Sequence, residues 1–257
     1  MENRKEKEAE FHDKIREGQL EEKDIDRFAS NKKFYSVNRE SVDFVNDFLA
    51  KRYAGKKVLD YCCGNGDQAI SLAKKGIVAF GIDISEASIK NAKGLAEREG
   101  LADKVFFSAM DAEKTTFPGD SFDAIVCSGV LHHLDIEKAY KEMARILKPE
   151  GKVICAEPLA YNSVFQLYRR LTPGLRTKWE MEHILSRKDI NLSKKYFSKI
   201  EKRFFHLFTL LAVPFRKFGF FDSLLSLLEK VDSFFLKIPI IKWFAWQIVF
   251  IVSEPKK

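Results

Sequence analysis

The chain has 257 residues, of which 46% are apolar and 32% charged, and its formal net charge is +7. These values exclude an intrinsically disordered chain and a small disulfide-stapled fold, and they allow one large domain with a sizeable core. The sequence has no N-terminal apolar segment of the secretory type and no uncharged apolar run of about 18 residues, so we expect a cytoplasmic protein.

The predicted elements begin with a helical N-terminal arm or cap over residues 1–36, which are charge-dense with scattered apolar positions. Between Val37 and Ala50 the apolar residues recur at helical spacing. Short apolar runs and amphipathic stretches then alternate, and this alternation indicates a parallel sheet covered by helices on both faces. We predict strands at 56–62, 77–84, 104–111, 121–129 and 152–158, and helices at 67–75, 85–99 and 136–147.

Residues 161–257 differ in character, because phenylalanines are concentrated there and basic residues precede the apolar segments. We predict a strand at 206–215, a last strand at 246–254 and a helical insertion between them. One face of the insertion is apolar, and we expect it to pack onto the sheet. This face comprises Leu224, Leu227, Leu228, Val231, Phe234, Phe235 and Ile238.

The four cysteines, Cys62, Cys63, Cys127 and Cys155, form no C-x-x-C pair. The side chains of the adjacent Cys62 and Cys63 point apart on any regular backbone, so they cannot pair with each other. We therefore interpret the cysteines as small, half-buried hydrophobic residues and predict no metal site.

A glycine loop follows the first predicted strand in LDYCCGNGDQA, where G-x-G-x-x-A runs from Gly64 into a helix. Such a loop brings backbone amides close to a ligand at a helix N-terminus. The next two strands end in Asp83 and Asp111, and carboxyl ends of parallel strands meet at one crevice. Since Asp60 and Asp67 flank the loop and repel a pyrophosphate, a cationic nucleoside such as S-adenosylmethionine is favoured over NAD.

Four blocks in this order resemble the class I S-adenosylmethionine-dependent methyltransferases, in particular the small-molecule branch that includes the ubiquinone and menaquinone methyltransferases. The blocks are VLDYCCGNGD, GIDIS, MDAEKTTFPGDSFDAIVCSGVLHHL and LKPEGKVICAEP. The resemblance implies a Rossmann-like, doubly wound, mostly parallel seven-stranded α/β sheet with an antiparallel last strand, an N-terminal helical arm and a C-terminal helical insertion. Residues 37–160 would bind the cofactor, and 161–257 would supply the substrate lid, final strands and insertion of the same domain.

The resemblance also implies roles for individual residues. Gly64 and Gly66 would line the methionine part of S-adenosylmethionine, Asp60 would help to hold its amino group, and Asp83 would take the ribose hydroxyls. Asp111 and the Ala112 amide would read the adenine. The full set of expected cofactor-binding residues is Tyr35, Asp60, Cys62, Gly64, Gly66, Asp83, Ile84, Asp111, Ala112 and Ser128. Cys62 departs from the family, which usually has glycine there, and a cysteine does not easily adopt a positive φ.

The catalytic candidates are His132, His133 and Glu157, which follow the ends of two predicted strands. Each histidine is suited to act as a general base near neutral pH, and Glu157 is suited to act as a base or to orient the substrate. A structural role, in which one histidine caps the next helix and the other packs, stays open. His183 is a weaker candidate.

The acceptor is expected to be a small molecule, either apolar or anionic, that is methylated by in-line displacement. Tyr161, Asn162, Tyr168 and Arg169 would face it from the lid. The basic stretch from Arg169 to Arg203 also allows tRNA, although the sequence disfavours nucleic acid because CSGVLHHL lacks the signature of enzymes that methylate base amines. A non-catalytic cofactor-binding module and a peripheral membrane contact through the C-terminal region are further hypotheses.

Overall fold

The computed structural model describes residues 2–17, 32–172, 179 and 183–257. In this part of the chain the α-helices are α1 (Glu2–Arg16), α2 (Arg39–Tyr53), α3 (Asp67–Lys74), α4 (Glu86–Arg98), α5 (Ile136–Ile146), α6 (Ser163–Leu171), α7 (Arg187–Leu192) and α8 (Phe221–Phe235). The strands are β1 (Lys57–Tyr61), β2 (Val78–Asp83), β3 (Val105–Ala109), β4 (Phe122–Ser128), β5 (Leu147–Pro158), β6 (Phe197–Phe205) and β7 (Gln247–Pro255). Short 3₁₀ segments lie at Lys32–Val37, Leu131–His133, Ser193–Lys195, Thr209–Phe215 and Ile241–Phe244.

The seven strands form one sheet in the order β3-β2-β1-β4-β5-β7-β6. Strands β1 to β5 are parallel, and β7 runs antiparallel to both of its neighbours. The predicted Rossmann-like, mostly parallel seven-stranded sheet with an antiparallel last strand is therefore confirmed. Strand order reverses between β1 and β4, and sheets of this type bind ligands in the crevice outside the carboxyl ends at such a reversal.

Side-chain caps set the start of several helices around this crevice. The Ser85 hydroxyl accepts a hydrogen bond from the Ser88 amide at 2.9 Å, and Asp135 accepts one from the Lys138 amide at 3.3 Å. Asn162 caps α6 in the same way through the Phe165 amide, at 2.9 Å. Each cap satisfies an amide that would otherwise have no partner in the first turn, and so fixes where the strand-end loops stop.

Two apolar clusters cover the two faces of the sheet, because successive residues of a strand point to opposite sides. Leu59 and Tyr61 of β1 belong to one cluster, together with the inner face of α5. Val58 belongs to the other, together with α3 and α4. Both faces of the central strands are therefore buried, as a parallel sheet requires.

The strand predicted at 206–215 is wrong, and β6 lies earlier, at Phe197–Phe205. His206 has a positive φ of 65°, which ends the extended backbone. The buried Asp232 carboxylate then accepts hydrogen bonds from the amides of Leu207, Phe208 and Thr209 at 3.0, 2.6 and 3.3 Å. These contacts turn the chain into the 3₁₀ segment Thr209–Phe215.

The predicted packing of the insertion helix onto the sheet is also wrong, and its predicted apolar face is buried only in part, where Leu224 and Leu228 pack against the cluster that contains Leu225. Leu227 and Phe234 are 58% and 66% exposed, whereas Leu225 and Asp232 are buried. Helix α8 packs against Thr209–Phe215 instead of the sheet. The bonds from Asp232 to the preceding turn fix the rotation of the helix, and they leave part of its apolar stripe on the surface. None of the helices in the described residues is both long and apolar enough to cross a bilayer.

The predicted N-terminal arm contains α1, and its residues 18–31 lie outside the described part of the chain. Within the predicted lid, residues 173–178 and 180–182, including Arg176, also lie outside it. The division into 1–36, 37–160 and 161–257 stays a prediction. Strands β6 and β7, however, belong to the same sheet as β1 to β5.

We predict that the contribution of His206 to stability falls on mild acidification. Its imidazole is fully buried, and Nε2 lies 2.9 Å from the Ser41 hydroxyl. Burial lowers the pKa of His206 to about 3 from the 6.5 of an exposed imidazole. Between these values the unfolded chain binds a proton at His206 that the folded chain does not, so the stabilisation contributed by neutral His206 is present above pH 6.5 and is lost as the pH falls towards 3. From pH 7 to pH 5 the loss is about 2 kcal/mol.

Urea denaturation of the wild type and of His206→Asn at pH 7 and pH 5 measures this loss. Asparagine tolerates a positive φ and does not titrate, so the variant should lose about 2 kcal/mol less than the wild type over the same interval. An identical pH dependence in both proteins would show that His206 is not the responsible group.

Candidate functional site

The loop after β1 is shaped by three residues with positive φ, Cys62 at 60°, Gly64 at 52° and Gly66 at 84°. Gly64 lines a cavity at the carboxyl ends of β1, β2 and β4. Gly66 instead lies behind the loop, where an added Cβ would come within 2.6 Å of the Phe107 ring and 2.9 Å of Ala92. Gly64 therefore leaves room for a ligand, and Gly66 allows α3 to start close to its neighbours.

The two adjacent cysteines lie on opposite sides of the sheet. Cys62 packs against the cluster that contains Tyr61, and Cys63 packs against the cluster that contains Val58. Burial raises the pKa of both thiols, so they are protonated at neutral pH and are poor nucleophiles and poor metal ligands.

The first cavity has a volume of about 420 Å³ and is bordered by carboxylates at the strand ends. Asp83 accepts hydrogen bonds from the amides of Gly64 at 2.9 Å and Ser85 at 3.0 Å, and so ties the loop after β1 to the end of β2. Asp111 follows β3 and accepts one from the Glu113 amide at 2.9 Å. The cavity is of a size typical for small-molecule and cofactor sites.

Asp60 lies behind the loop and is 5% exposed. Its Oδ2 atom has no hydrogen-bond partner within the described residues, and burial raises its pKa to about 7. A buried carboxylate oxygen without a partner fits a cationic ligand that bears an amino group.

Helix α1 crosses the open side of the first cavity and makes several polar contacts with its rim. Arg4 forms an ion pair with Glu113, and the Lys5 ammonium lies 2.6 Å from Asp111. On the next turns Glu8, His12 and Arg16 also line the cavity. This helix therefore forms a wall of the site, which the sequence analysis did not predict.

A second cavity, also of about 420 Å³, adjoins the first. The two cavities share six lining residues, namely His12, Arg16, Tyr35, Ser128, Gly129 and His133. The aromatic rings of Phe34, Phe165 and Trp246 form one wall, and the buried Arg169 side chain also lines it. The second cavity thus combines an apolar surface with a cation.

The three catalytic candidates take different positions around this junction. Glu157 is fully buried and accepts hydrogen bonds from the amides of Val130 at 2.8 Å and Leu131 at 2.9 Å. Its second oxygen lies 3.0 Å from Nδ1 of His132. His132 lines only the second cavity, whereas His133 lines both and has its Nδ1 3.2 Å from Glu8.

Glu8, His12 and His133 form a small cluster, with ligand atoms within 4.8 Å of one another. A divalent ion can bridge atoms at such spacing. The hydrogen bond between Glu8 and His133 accounts for the arrangement without an ion.

The structure brings most of the residues predicted from the sequence to the first cavity. Those that line it are Tyr35, Cys62, Gly64, Asp83, Ile84, Asp111, Ala112, Ser128 and His133. Asp60, Gly66 and Glu157 lie behind the cavity walls. Of the lid candidates only Arg169 lines a cavity, and the exposed His183 stacks on Trp179 at 3.6 Å.

Residues 58–151 match the sequence profile of a family described as a methyltransferase domain. Over 136 residues the chain is 34% identical to the methyltransferase GfsG of Streptomyces halstedii, covering 51% of this chain and 49% of that protein. It is also 41% identical over 107 residues to the ubiquinone/menaquinone biosynthesis C-methyltransferase UbiE of Rickettsia massiliae. That match covers 39% of this chain and 43% of that protein. The chain thus spans about half or less of the length of these relatives.

The fold is similar to that of a solved Haemonchus contortus phosphoethanolamine N-methyltransferase in complex with phosphomonomethylethanolamine and S-adenosylhomocysteine. The TM-score is 0.57 at 21% sequence identity, and the match covers 82% of this chain and 52% of that one.

We predict that the left-handed conformation of Cys62 strains the loop. A non-glycine residue with φ near 60°, such as Cys62, costs about 1–2 kcal/mol of folding free energy. Glycine removes this cost, but the greater conformational entropy of the unfolded glycine chain lowers stability by about 0.5–1 kcal/mol. Cys62→Gly should therefore be about 0.5–1 kcal/mol more stable than Cys62→Ala in urea denaturation.

Cys63 provides the matched control, because it is not among the described residues with positive φ. There the order should reverse, with Cys63→Ala more stable than Cys63→Gly. The same order at both positions would contradict the assignment of strain to Cys62.

Proposed function

We propose that the chain, whose residues 58–151 match a methyltransferase domain, is a class I, S-adenosylmethionine-dependent methyltransferase and that its acceptor is a small molecule with an apolar body. The observation that carries the proposal is the meeting of two cavities at Ser128, Gly129 and His133. One is rimmed by carboxylates suited to a cationic nucleoside, and the other has aromatic walls. A methyl group bound in the first would face an acceptor bound in the second.

In this proposal the cofactor is S-adenosylmethionine, which supplies an activated methyl group on its sulfonium. Asp83 accepts hydrogen bonds from the ribose hydroxyls, and Asp111 and the Ala112 amide hold the adenine. Gly64 and the buried Asp60 carboxylate accommodate the methionine part. The charge of the first cavity supports a cation, since its lining has five carboxylates, Glu8, Asp67, Asp83, Asp111 and Glu113, and three cations, Arg4, Lys5 and Arg16.

The residues of the chain contribute mainly orientation and exclusion of water. Holding the acceptor in line with the methyl group can account for about 7–11 kcal/mol of a bimolecular barrier. His133 is the residue that we assign as general base for an acceptor that carries a proton, because it lines both cavities and is oriented by Glu8. Proton removal by a positioned histidine adds about 10²–10⁴-fold.

Glu157 and His132 take a positioning role in this proposal. Both oxygens of Glu157 already accept hydrogen bonds from the turn after β4 or lie against His132. Glu157 thereby holds the backbone that carries His133, and its burial keeps it away from a substrate proton.

The walls of the second cavity support an acceptor with an apolar body and an anionic group. The apolar body would pack against the aromatic rings of Phe34, Phe165 and Trp246. The anionic group would pair with Arg16 or Arg169. The similar proteins include one named for quinone biosynthesis and one solved with a phosphorylated amine. Both kinds of chemistry fit a cavity of this composition.

The alternative acceptor tRNA has less support. Within the basic stretch from Arg169 to Arg203, Arg169 is buried, and Lys195 and Lys199 pair with Glu137 and Glu254. Paired and buried cations are poor contacts for a phosphate backbone. Arg176 and Lys178 of this stretch lie outside the described residues.

The membrane contact predicted from the sequence stays a hypothesis, supported by the surface that α8 and its flanking segments leave exposed. We call the exposed apolar side chains of residues 211–244 the insertion surface. They are Leu211, Phe215, Phe218, Phe220, Leu227, Phe234, Ile238, Ile240 and Phe244. Aromatic and aliphatic side chains gathered on one segment are typical of interfacial contacts.

We predict that the chain binds S-adenosylmethionine and its homocysteine product but not NAD, as measured by calorimetry. Asp83→Asn should weaken this binding about tenfold or more, because a charged acceptor of the ribose hydroxyls is lost. Asp103→Asn, at an exposed position away from both cavities, is the control and should bind as the wild type does. Binding of NAD without S-adenosylmethionine would refute the proposed function.

We predict that S-adenosylhomocysteine is released when the protein is given the correct acceptor, and pooled lipids, quinones, sugar nucleotides and tRNA are the pools to screen by mass spectrometry. With a protonated acceptor, His133→Gln should lower kcat by about 10²–10⁴-fold, and His183→Gln should not. If no pool gives product although the cofactor binds, the chain is a non-catalytic binding module.

A further inference from the structure

A third cavity of about 470 Å³ lies on the side of the molecule formed by α7, β6 and the segment after α8. Four basic side chains line it, namely Arg187, Lys194, Lys202 and Lys242. The remaining lining residues are Asn191, Phe204, Pro239, Ile240 and Trp243, so the lining contains no carboxylate. None of these residues lines the first or the second cavity.

The four cations converge from three separate parts of the chain. Arg187 and Lys194 come from α7 and the 3₁₀ turn after it, Lys202 from β6, and Lys242 from the 3₁₀ segment Ile241–Phe244. None of the four forms an ion pair with a carboxylate among the described residues. Lys202 has only a long hydrogen bond, of 3.4 Å, to the Asn191 amide oxygen.

Aromatic rings hold these cations in place. The Arg187 guanidinium lies 5.2 Å from the centre of the Trp243 ring, and the Lys202 ammonium lies 5.7 Å from the same ring. The Lys242 ammonium lies 5.4 Å from the centre of the Phe204 ring. Cation–π contacts of this length stabilise a cation without neutralising it. Three of the four cations, Arg187, Lys202 and Lys242, are therefore held beside aromatic rings while their charge stays available to an anion.

Mutual repulsion within the cluster has a visible consequence at Lys202. Its pKa is lowered, first by burial and then by the charges of Lys194, Arg187 and Lys242. A bound anion would offset the lowering of the Lys202 pKa by the neighbouring cations, because an opposite charge nearby favours the ammonium form. The cluster is thus unfavourable for the folded chain by itself and becomes favourable when an anion lies among the four side chains.

We propose that the third cavity is a binding site for a phosphate group, held by Arg187, Lys194, Lys202 and Lys242. A planar guanidinium and several ammonium groups around one point are the donors that phosphate oxygens take. The phosphate can come from a soluble phosphate ester or from the headgroup of an anionic lipid. The site is separate from methyl transfer, and it stands whether or not the proposed function holds.

The surroundings of the cavity favour the lipid source. Ile240 lines the cavity and is 76% exposed, and it belongs to the insertion surface together with Ile238 and Phe244. A phosphate in the cavity would therefore sit beside apolar side chains that lie at the level of the headgroups in an anionic bilayer.

The test uses the full chain and two kinds of probe. One is glycerol 3-phosphate, followed by calorimetry, and the other is vesicles of phosphatidylcholine with or without phosphatidylglycerol, followed by flotation. The variant is Lys202→Gln/Lys242→Gln. The matched control is Lys93→Gln/Lys104→Gln, which removes the same net charge from exposed positions on and after α4, away from the third cavity and from the insertion surface.

The site variant should bind the phosphate probe about tenfold or more weakly, whereas the control should bind as the wild type does. The site variant should also unfold at the same or a higher urea concentration than the wild type, because repulsion among the four cations is relieved. A purely structural role of the lysines would give the opposite stability change. Binding to phosphatidylglycerol vesicles that the wild type has and the site variant loses assigns the phosphate to a lipid, whereas wild-type binding of glycerol 3-phosphate without binding to these vesicles assigns it to a soluble ester.

Three results would overturn the proposal. The first is that the wild type binds neither probe. The second is that both double variants lose binding equally, which indicates general surface charge. The third is that the site variant loses tRNA binding in a gel-shift assay and keeps the two phosphate probes, in which case the cluster serves a nucleic acid.

Discussion

The buried Glu157 carboxylate is the contact on which the centre of the site depends. It lies near the end of β5 and accepts the amides of Val130 and Leu131, so it joins the ends of two neighbouring strands. A buried carboxylate without such donors would be costly, and with them it is stabilised and held in one orientation. The turn that follows β4 is fixed in consequence, and this turn places His133 at the junction of the two cavities and His132 in the wall of the second.

Much of the fold follows from local patterns in the sequence. The central strands β1 and β4 are largely apolar and buried on both faces, and the carboxylates at the ends of β2 and β3 mark the edge where the parallel strands meet. The last strand is equally apolar. Periodicity fails at 206–215, where the pattern is apolar but the backbone is turned by His206 and by Asp232, a residue more than 20 positions away. Local patterns contain no information about such a distant hydrogen bond.

Part of the candidate site could be predicted because it, too, follows from local patterns in the sequence. Asp83, Gly64 and Asp111 follow directly from strand ends and from the glycine loop. The wall formed by α1 could not be predicted, because Arg4, Lys5 and Glu8 look like solvated charges until the fold brings Glu113 and Asp111 to them. The spacing of Glu8 and His12, one helical turn apart, is the only local signal, and it is common on exposed helices. The basic cluster of the third cavity is likewise assembled from separate segments.

Helix α1 also changes how binding to the first cavity has to be described. Lys5 occupies the Asp111 carboxylate that we assign to the adenine, and the Arg16 guanidinium lies against Gly64, 3.3 Å from where a Cβ would be. If Asp111 takes the adenine as proposed, helix α1 and the cofactor share this one acceptor, and the helix is tethered to the domain at a high effective concentration. Under that assignment Lys5 is an intramolecular competitor, and the affinity measured for the cofactor includes the free energy of displacing Lys5 from Asp111. Salt weakens ion pairs at the rim of a cavity, so ionic strength acts on the competitor as well as on the cofactor.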